Sequence, residues 1–301
     1  MADYDVIVIG GGPAGYRSAF ILAQKGKKVA LIEAKETHLG GTCLNEGCIP
    51  VKTWLESSEL YSKVLKADQF ALDTQIHPFD IPKLLIVQEK NVNTLKKGLE
   101  FKLKSKKIEI IYGVASFKDE NTLWITFENG NKINLKANHF IIATGSKSKK
   151  IPFIPIDSKL TFTSDEILRD EKLKKNILII GGGVIGCEFS SFFSQVGCEV
   201  TLVEMGEQLL PYEDCEISRT LLREFKKNKI KIHLNSTVSE IQSGENEVEV
   251  KIKNIKNEKI TTLNFDRILV AVGRAPFFEN LNLENIGIEI ENNYIDANEY
   301  C

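Results

Sequence analysis

The 301-residue sequence lacks the features that would place it in several large classes. No stretch reaches the roughly 18 consecutive apolar residues of a membrane-spanning helix, although 43% of the chain is apolar. The opening MADYDVIVIGGG has no basic segment ahead of an apolar one, so no secretory leader is expected. Neither sign of charge dominates. Lys plus Arg number 39 against 41 Asp plus Glu, a net charge of -2, which removes the main electrostatic reason to bind nucleic acid or a membrane surface. The four histidines (His38, His77, His139, His233) have no metal-ligand or base-like spacing and read as structural or surface residues. Six cysteines are too sparse for a disulfide scaffold. What is left is a cytosolic globular protein of about two domains.

Two copies of one pattern organise the chain. The first is DVIVIGGGPAGYRSAFILAQKGKKVALIE, Asp5 to Glu33. Val6 to Ile9 is a continuous apolar run suited to a buried parallel strand. Gly10, Gly12 and Gly15 follow in G-x-G-x-x-G spacing around Pro13 and Ala14 and lead into an apolar-periodic helix that ends at Gly26. Val29 to Ile32 is a second strand with Glu33 at its carboxyl end. Strand, glycine turn, helix, strand and acid together form the dinucleotide fingerprint. Gly10 permits the turn, Gly12 leaves room for a pyrophosphate, and Gly15 lets helix and strand approach. Helix N–H groups then face the phosphates, and Glu33 can accept from a ribose diol.

The pattern returns 171 positions later, with Gly181, Gly183, Val184, Ile185 and Gly186 in the turn and Glu204 as the acid. Glu204 repels a 2′-phosphate, and no Arg follows it in Met205 to Gln208, so this site reads as one for NAD rather than NADP.

Between the copies, residues 55–105 read as helices interrupted at His77-Pro78 and Ile81-Pro82. Residues 108–142 read as antiparallel strands, with a turn at Glu128 to Asn131. The runs Phe140 to Gly145 and Arg267 to Arg274 resemble strands that close the two dinucleotide units. KSKKIPFIP, 147–155, reads as the crossing between domains. Lysines at 96–107 and 147–150 read as a solvated face.

After the first unit comes LGGTCLNEGCIPVK, Leu39 to Lys52. Cys43 and Cys48 stand five positions apart among glycines, ahead of a helix, a spacing that can bring two sulfurs within bonding range. A zinc site or two structural thiols are the plainer alternatives, and a redox-active dithiol beside a dinucleotide is the third.

GGTCLNEGCIPVK, the two glycine fingerprints, ATG at 143–145 and AVGRAP at 271–276 together resemble the flavoprotein disulfide reductases, the class I pyridine nucleotide-disulfide oxidoreductases. Within them, CLN-x-GCIP and the NAD-type second fingerprint are most similar to the dihydrolipoamide dehydrogenase branch. The resemblance covers the whole chain. It implies an α/β fold with two Rossmann-like dinucleotide-binding units, for FAD and NAD, and antiparallel β insertions. The expected divisions are an FAD domain over 1–150, an NAD domain over 151–273, and a return toward the FAD domain over 274–301.

The resemblance also implies roles. FAD would be held by Gly10, Gly12, Pro13, Ala14, Gly15, Glu33, Gly41, Thr42, Lys52, Gly113, Thr144, Gly145 and Ser146. NAD would be held by Gly181 to Glu188, Glu204, Val238 and Gly273. Cys43 would exchange with a dithiol substrate and Cys48 would face the flavin, with Lys52 and Glu188 near the flavin and nicotinamide and able to pair. The implied reaction oxidises dihydrolipoamide with reduction of NAD+, and the implied partner is a lipoyl-bearing acyltransferase or lipoyl domain; the alternatives are another flavoprotein disulfide or mercuric reductase, or a truncated, catalytically silent nucleotide-binding chain. Val51 departs from the small polar residue usual before the lysine. Cys187, Cys198, Cys215 and Cys301 have no motif context and read as buried or free thiols. In the family, a Gly-Asp element and a dimerisation domain with a His–Glu acid/base pair lie beyond Cys301. Weak dithiol turnover by these 301 residues is therefore expected.

Overall fold

The computed structural model describes residues 2–299 and contains two compact units. In chain order the elements are β1 (Tyr4–Ile9), α1 (Pro13–Gln24), β2 (Val29–Glu33), α2 (Gly41–Asn45), α3 (Cys48–Val64), α4 (Ile81–Ser105) and β3 (Glu109–Tyr112). The meander β4 (Val114–Asp119), β5 (Thr122–Thr126) and β6 (Lys132–Ile142) follows, then the short β7 (Ser146–Ser148), β8 (Thr161–Thr163) and α5 (Ser164–Ile167). The second half runs β9 (Asn176–Ile180), α6 (Val184–Gln195), β10 (Glu199–Val203), α7 (Cys215–Lys227) and β11 (Lys231–His233). It continues with β12 (Ser236–Ser243), β13 (Val248–Asn254), β14 (Ile260–Phe265) and β15 (Arg267–Val270), followed by short strands at Arg274–Pro276, Ile290–Glu291 and Tyr294–Ile295.

The first unit comprises residues 1–49, 91–147 and 275–301. Its six-stranded sheet has the order β3-β2-β1-β6-β5-β4. β1 lies between parallel neighbours, and its apolar run is divided between two faces by the two-residue period of a strand. Val6 and Val8 pack with Ala19 and Phe20 of α1. Ile7 and Ile9 pack with Phe117, Leu123 and Ile125 of the meander. Sequence alternation suggested antiparallel pairing from residue 108 onward. The structure corrects this for β3, which pairs parallel to β2 through Ala30↔Glu109 and Leu31↔Ile110; only β4, β5 and β6 form the antiparallel insertion. β3 is reached through the long helix α4, the crossover that a parallel strand requires.

The second unit comprises residues 50–90 and 148–274. It repeats the plan with the order β11-β10-β9-β15-β8 and the separate antiparallel sheet β12-β13-β14. Ile177 and Ile179 face α6, while Leu178 and Ile180 face Val248, Val250 and Ile252 of the insertion. Residues 50–90 were expected within a 1–150 domain but pack here. Trp54, 2% exposed, stands 4.6 Å from the Phe192 ring and 6.1 Å from the Phe189 ring. Val51, Ile81 and Leu84 join the same cluster, which accounts for an apolar residue at 51.

One buried ion pair braces this unit. Arg267 Nε lies 3.2 Å from Asp170 Oδ2, with side chains 8% and 14% exposed, and its guanidinium stacks 5.3 Å from the Phe162 ring. Removing one partner leaves a buried charge unpaired, which costs about 3–5 kcal/mol. Asp170→Ala is therefore expected to lower the unfolding free energy by about 3 kcal/mol. Denaturant titration of the variant against the parent chain measures it.

Candidate functional site

Each unit builds the same cradle at the carboxyl end of its central strand. Gly10 turns the chain after β1 with φ +110°, and a Cβ there would stand 2.2 Å from the Ala143 carbonyl oxygen. A Cβ on Gly15 would stand 1.8 Å from the Gly10 carbonyl oxygen. The protein's own packing therefore demands both glycines. Gly12 is different, since a Cβ there would meet only the Gly41 Cα at an ordinary 3.8 Å. Gly12 caps α1 without any side-chain acceptor, Pro13 takes the first helical position where a missing N–H costs nothing, and Ala14 follows. The space over Gly12 is the volume a pyrophosphate would take in front of the helix N–H groups.

The second cradle matches it. Gly181 has φ +108° with its Cβ position 2.4 Å from the Ala271 carbonyl oxygen, and a Cβ on Gly186 would lie 1.9 Å from Gly181 O. A Cβ on Gly183 would meet nothing within 4 Å. Val184 and Ile185 open α6.

The acids are held by the glycine turns themselves. The Gly11 amide donates to Glu33 Oε2 at 2.8 Å. The Gly182 amide donates to Glu204 Oε2 at 2.5 Å, and the Gly206 amide to Glu204 Oε1 at 2.6 Å. Each carboxylate keeps lone pairs for a ribose diol. The sequence reading missed the donors at Gly11 and Gly206, which act through main-chain N–H groups that residue types do not display; Gly182 falls within the 181–188 run it named.

Further residues close on the cradles from neighbouring strands. The Gly113 amide donates to the Glu33 carbonyl at 2.8 Å, and the Ala143 amide to the Ile9 carbonyl at 2.8 Å, which sets Thr144, Gly145 and Ser146 beside the first turn. Ser236 N–H bonds the Glu204 carbonyl at 3.0 Å, which brings the start of β12 to the second acid. Val238 lies two residues on, but its side chain is only 4% exposed and packs with Val203 and Val248. Any contribution of Val238 to a nucleotide thus comes from its main chain, next to an irregularity in the β12–β13 register. Gly273, with φ +105°, follows Ala271 at the edge of the second cradle.

The cysteine loop is stacked on the first cradle. Gly40 N–H donates to the Gly11 carbonyl at 3.0 Å. Gly41, with φ +64°, lies so close to Gly12 that a Cβ would stand 2.6 Å from its Cα. Asn45 Nδ2 donates to the carbonyls of His38, Leu39 and Gly41 at 3.1, 3.1 and 2.9 Å, fixing α2 to the loop before it. Thr42 and Cys43 lie half-buried in α2. Gly47 folds back to within 3.0 Å of the Thr42 carbonyl, measured from its Cβ position, and the exposed Cys48 opens α3. Among the described residues, no group of three or more His, Cys, Asp or Glu side chains forms a metal-ligand set.

Lys52 stands one turn after Cys48 on α3, exposed, and Glu188 stands half-buried in the first turns of α6. Burial raises the Glu188 pKa, and the Lys52 charge opposes that rise.

The remaining thiols divide by burial. Cys187 donates to the Gly182 carbonyl at 3.3 Å, and burial pushes both Cys187 and Cys198 up to about 12. Cys215 is exposed at the start of α7, and Cys301 lies outside the described residues. With a pKa near 12, roughly one thiol in ten thousand ionises at pH 8, and the thiolate is the nucleophile. Native iodoacetamide treatment at pH 8 is thus expected to label Cys215 while sparing Cys187 and Cys198, with peptide mass spectrometry as the check.

Residues 4–301 match the family model described as pyridine nucleotide-disulphide oxidoreductase. The chain belongs to this family. It is 36% identical to a dihydrolipoyl dehydrogenase of Zymomonas mobilis, over 98% of this chain and 63% of that protein. It is 37% identical to a mitochondrial dihydrolipoyl dehydrogenase of Schizosaccharomyces pombe, over 99% of this chain and 59% of that protein. Among solved structures, the HOCl-induced flavoprotein disulfide reductase of Escherichia coli superposes with a TM-score of 0.82 at 29% identity, over 97% of this chain and 62% of that one. The chain thus spans about three-fifths of the length of the curated relatives it matches. The cofactors of the family are FAD and NAD(H), and two cradles whose middle glycines leave unfilled room over a helix start fit two dinucleotides. No helix among the described residues is long and apolar enough to cross a membrane.

Proposed function

We propose that this chain carries the dinucleotide-binding and dithiol-exchanging part of a dihydrolipoyl dehydrogenase, oxidising a protein-bound dihydrolipoyl group with reduction of NAD+. The observation that carries the proposal is the backbone-on-backbone seat of the Cys43–Cys48 loop on the first cradle, through Gly40–Gly11 and Gly41–Gly12. That seat supports a dithiol beside the dinucleotide of the first cradle, an arrangement that neither a zinc site nor a pair of structural thiols requires.

In this reading the first cradle holds FAD through Gly10 to Gly15, Glu33, Gly41, Thr42, Gly113 and Thr144 to Ser146, with Lys52 toward its ring. The second holds NAD through Gly181 to Glu188, Glu204, Val238 and Gly273. A substrate thiolate attacks Cys43 Sγ of the Cys43–Cys48 disulfide and displaces Cys48 as thiolate. The second substrate sulfur then attacks the mixed disulfide, leaves as cyclic disulfide, and releases Cys43 as thiol. Bound flavin supplies two-electron passage from the reduced pair to NAD+. The Asn45 brace keeps the attacked sulfur in place while the bond opens. No described residue is assigned as base for the incoming dithiol, and its turnover is proposed to be slow beside reduction by NADH. A lipoyl-bearing acyltransferase as partner, a homodimer for the full-length protein, a cytoplasmic location, and no role for nucleic acid or membrane belong to the same proposal.

Anaerobic titration of the purified chain with NADH tests it. A flavin spectrum that bleaches and gains a long-wavelength band supports the reading, and a colourless protein sinks it. Faster turnover with glutathione disulfide, or with Cu(II), the ion in a complex of the Escherichia coli relative, than with lipoamide would move the chain to another branch.

A further inference from the structure

The buried stripe of α3 and one face of α6 meet in a short ladder within the second unit. Val51, Trp54 and Ser58 recur at i, i+3 and i+7 along α3 and are all buried. Glu188, Phe192 and Gln195 recur at i, i+4 and i+7 along α6 and so share a face. Ser58 Oγ donates to Gln195 Oε1 at 2.6 Å, and the Trp54 ring lies 4.6 Å from the Phe192 ring at 46°. Numbers fall together along both helices, so the helices run parallel and the next step toward their starts is Val51–Lys52 opposite Glu188. The indole cannot swing, because its Nε1 donates to Gln88 Oε1 at 2.5 Å and Gln88 Nε2 reaches the Leu168 carbonyl at 3.4 Å. A buried aromatic held at one end by a hydrogen bond and at the other by ring contacts fixes helix separation more tightly than an aliphatic residue would.

We propose that Trp54 is a positioning residue, which through Phe192 sets the separation of α3 and α6 and thereby keeps the Lys52 ammonium within electrostatic reach of the Glu188 carboxyl. The assignment of those two residues to the flavin and nicotinamide rests on the function proposed above; their mutual placement does not. Trp54 is 2% exposed in the core of its unit, and the proposal gives it no contact with cofactor or substrate. The ladder explains how a lysine on one helix and an acid 136 positions away stay close enough for the Lys52 charge to act on Glu188.

The test uses the full chain with Trp54→Ala, Trp54→Phe and Glu188→Gln, and reads Lys52 acylation by a water-soluble amine-reactive ester through peptide mass spectrometry. This readout needs no cofactor. Trp54→Ala is expected to raise the Lys52 labelling rate about threefold, Glu188→Gln to do the same, and the double variant to add nothing further. Trp54→Phe, which keeps a ring on Phe192, is expected to stay within about twofold of the parent. Where flavin is bound, Trp54→Ala is also expected to slow the limiting rate of reduction by NADH about tenfold with the NADH Kd unchanged. A folded Trp54→Ala chain with unchanged Lys52 labelling, or effects that add in the double variant, would overturn the proposal. If Trp54→Ala does not fold, Ser58→Ala and Gln195→Ala carry the same expectation at the next rung. A chain that binds no flavin defeats the proposed function while the labelling still decides the role of Trp54.

Discussion

Replacing Cys43 with serine is expected to lower dihydrolipoamide turnover about a thousandfold or more, while the protein stays folded and retains its flavin. The exchange has no substitute for a sulfur, because a serine can neither form the mixed disulfide nor be displaced from it. The packing around Cys43 gives no reason for collapse: α2 is held by Asn45 through three main-chain carbonyls, and the loop is seated by glycine backbones. Cys48→Ser is expected to block exchange equally, and also to remove the long-wavelength band on titration with NADH. Cys215→Ser serves as the control, an exposed thiol outside the motif. A Cys43→Ser chain that still turns over dihydrolipoamide at a tenth of the parent rate or more would remove the Cys43–Cys48 loop from the mechanism.

The duplicated glycine pattern made most of the architecture legible in sequence. α1 spans Pro13–Gln24 and α6 spans Val184–Gln195, so the offset of 171 seen between Gly10 and Gly181 holds for whole helices. A strand–turn–helix–strand unit is local, and its signals lie within 30 residues. The features that escaped are those set by distant partners. Nothing in residues 50–90 says which core their apolar stripe will cover; Trp54 finds Phe189 and Phe192 more than 130 positions away. The alternation read from residue 108 is not matched by alternating burial at Glu109–Tyr112, whose direction depends on the crossover made by α4 rather than on its own residues.

The site divides along the same line. Cysteines, glycines and acids announced themselves by residue type and spacing. Main-chain donors at Gly11 and Gly206 did not, since every residue carries an N–H and only the fold says where it points. Val238 shows the converse, a position named for a nucleotide whose side chain belongs to the core.

Alanine at Gly12 and alanine at Gly15 are expected to fail in opposite ways. At Gly15 the added Cβ would stand 1.8 Å from a main-chain oxygen of Gly10, so α1 must move off β1. Forced overpacking of this kind costs about 3 kcal/mol, and the variant is expected to lose stability and flavin together. At Gly12 the nearest atom is 3.8 Å away, so the folded chain accepts the methyl group, and its unfolding free energy should stay within about 0.5 kcal/mol of the parent. What the methyl group occupies is the approach of the pyrophosphate. Losing one or two charge-assisted hydrogen bonds there, each about 1.5–3 kcal/mol, weakens FAD by about a hundredfold. The same reasoning at Gly183, where a Cβ meets nothing within 4 Å, predicts a stable, yellow protein whose NADH Kd rises by a similar factor. Denaturant unfolding, flavin retention on desalting and NADH titration separate the three variants. Should Gly12→Ala keep its flavin and lose NADH, or Gly183→Ala the reverse, the two cradles have been assigned the wrong way round; should both bind both dinucleotides as the parent does, the open space over the middle glycines has another purpose.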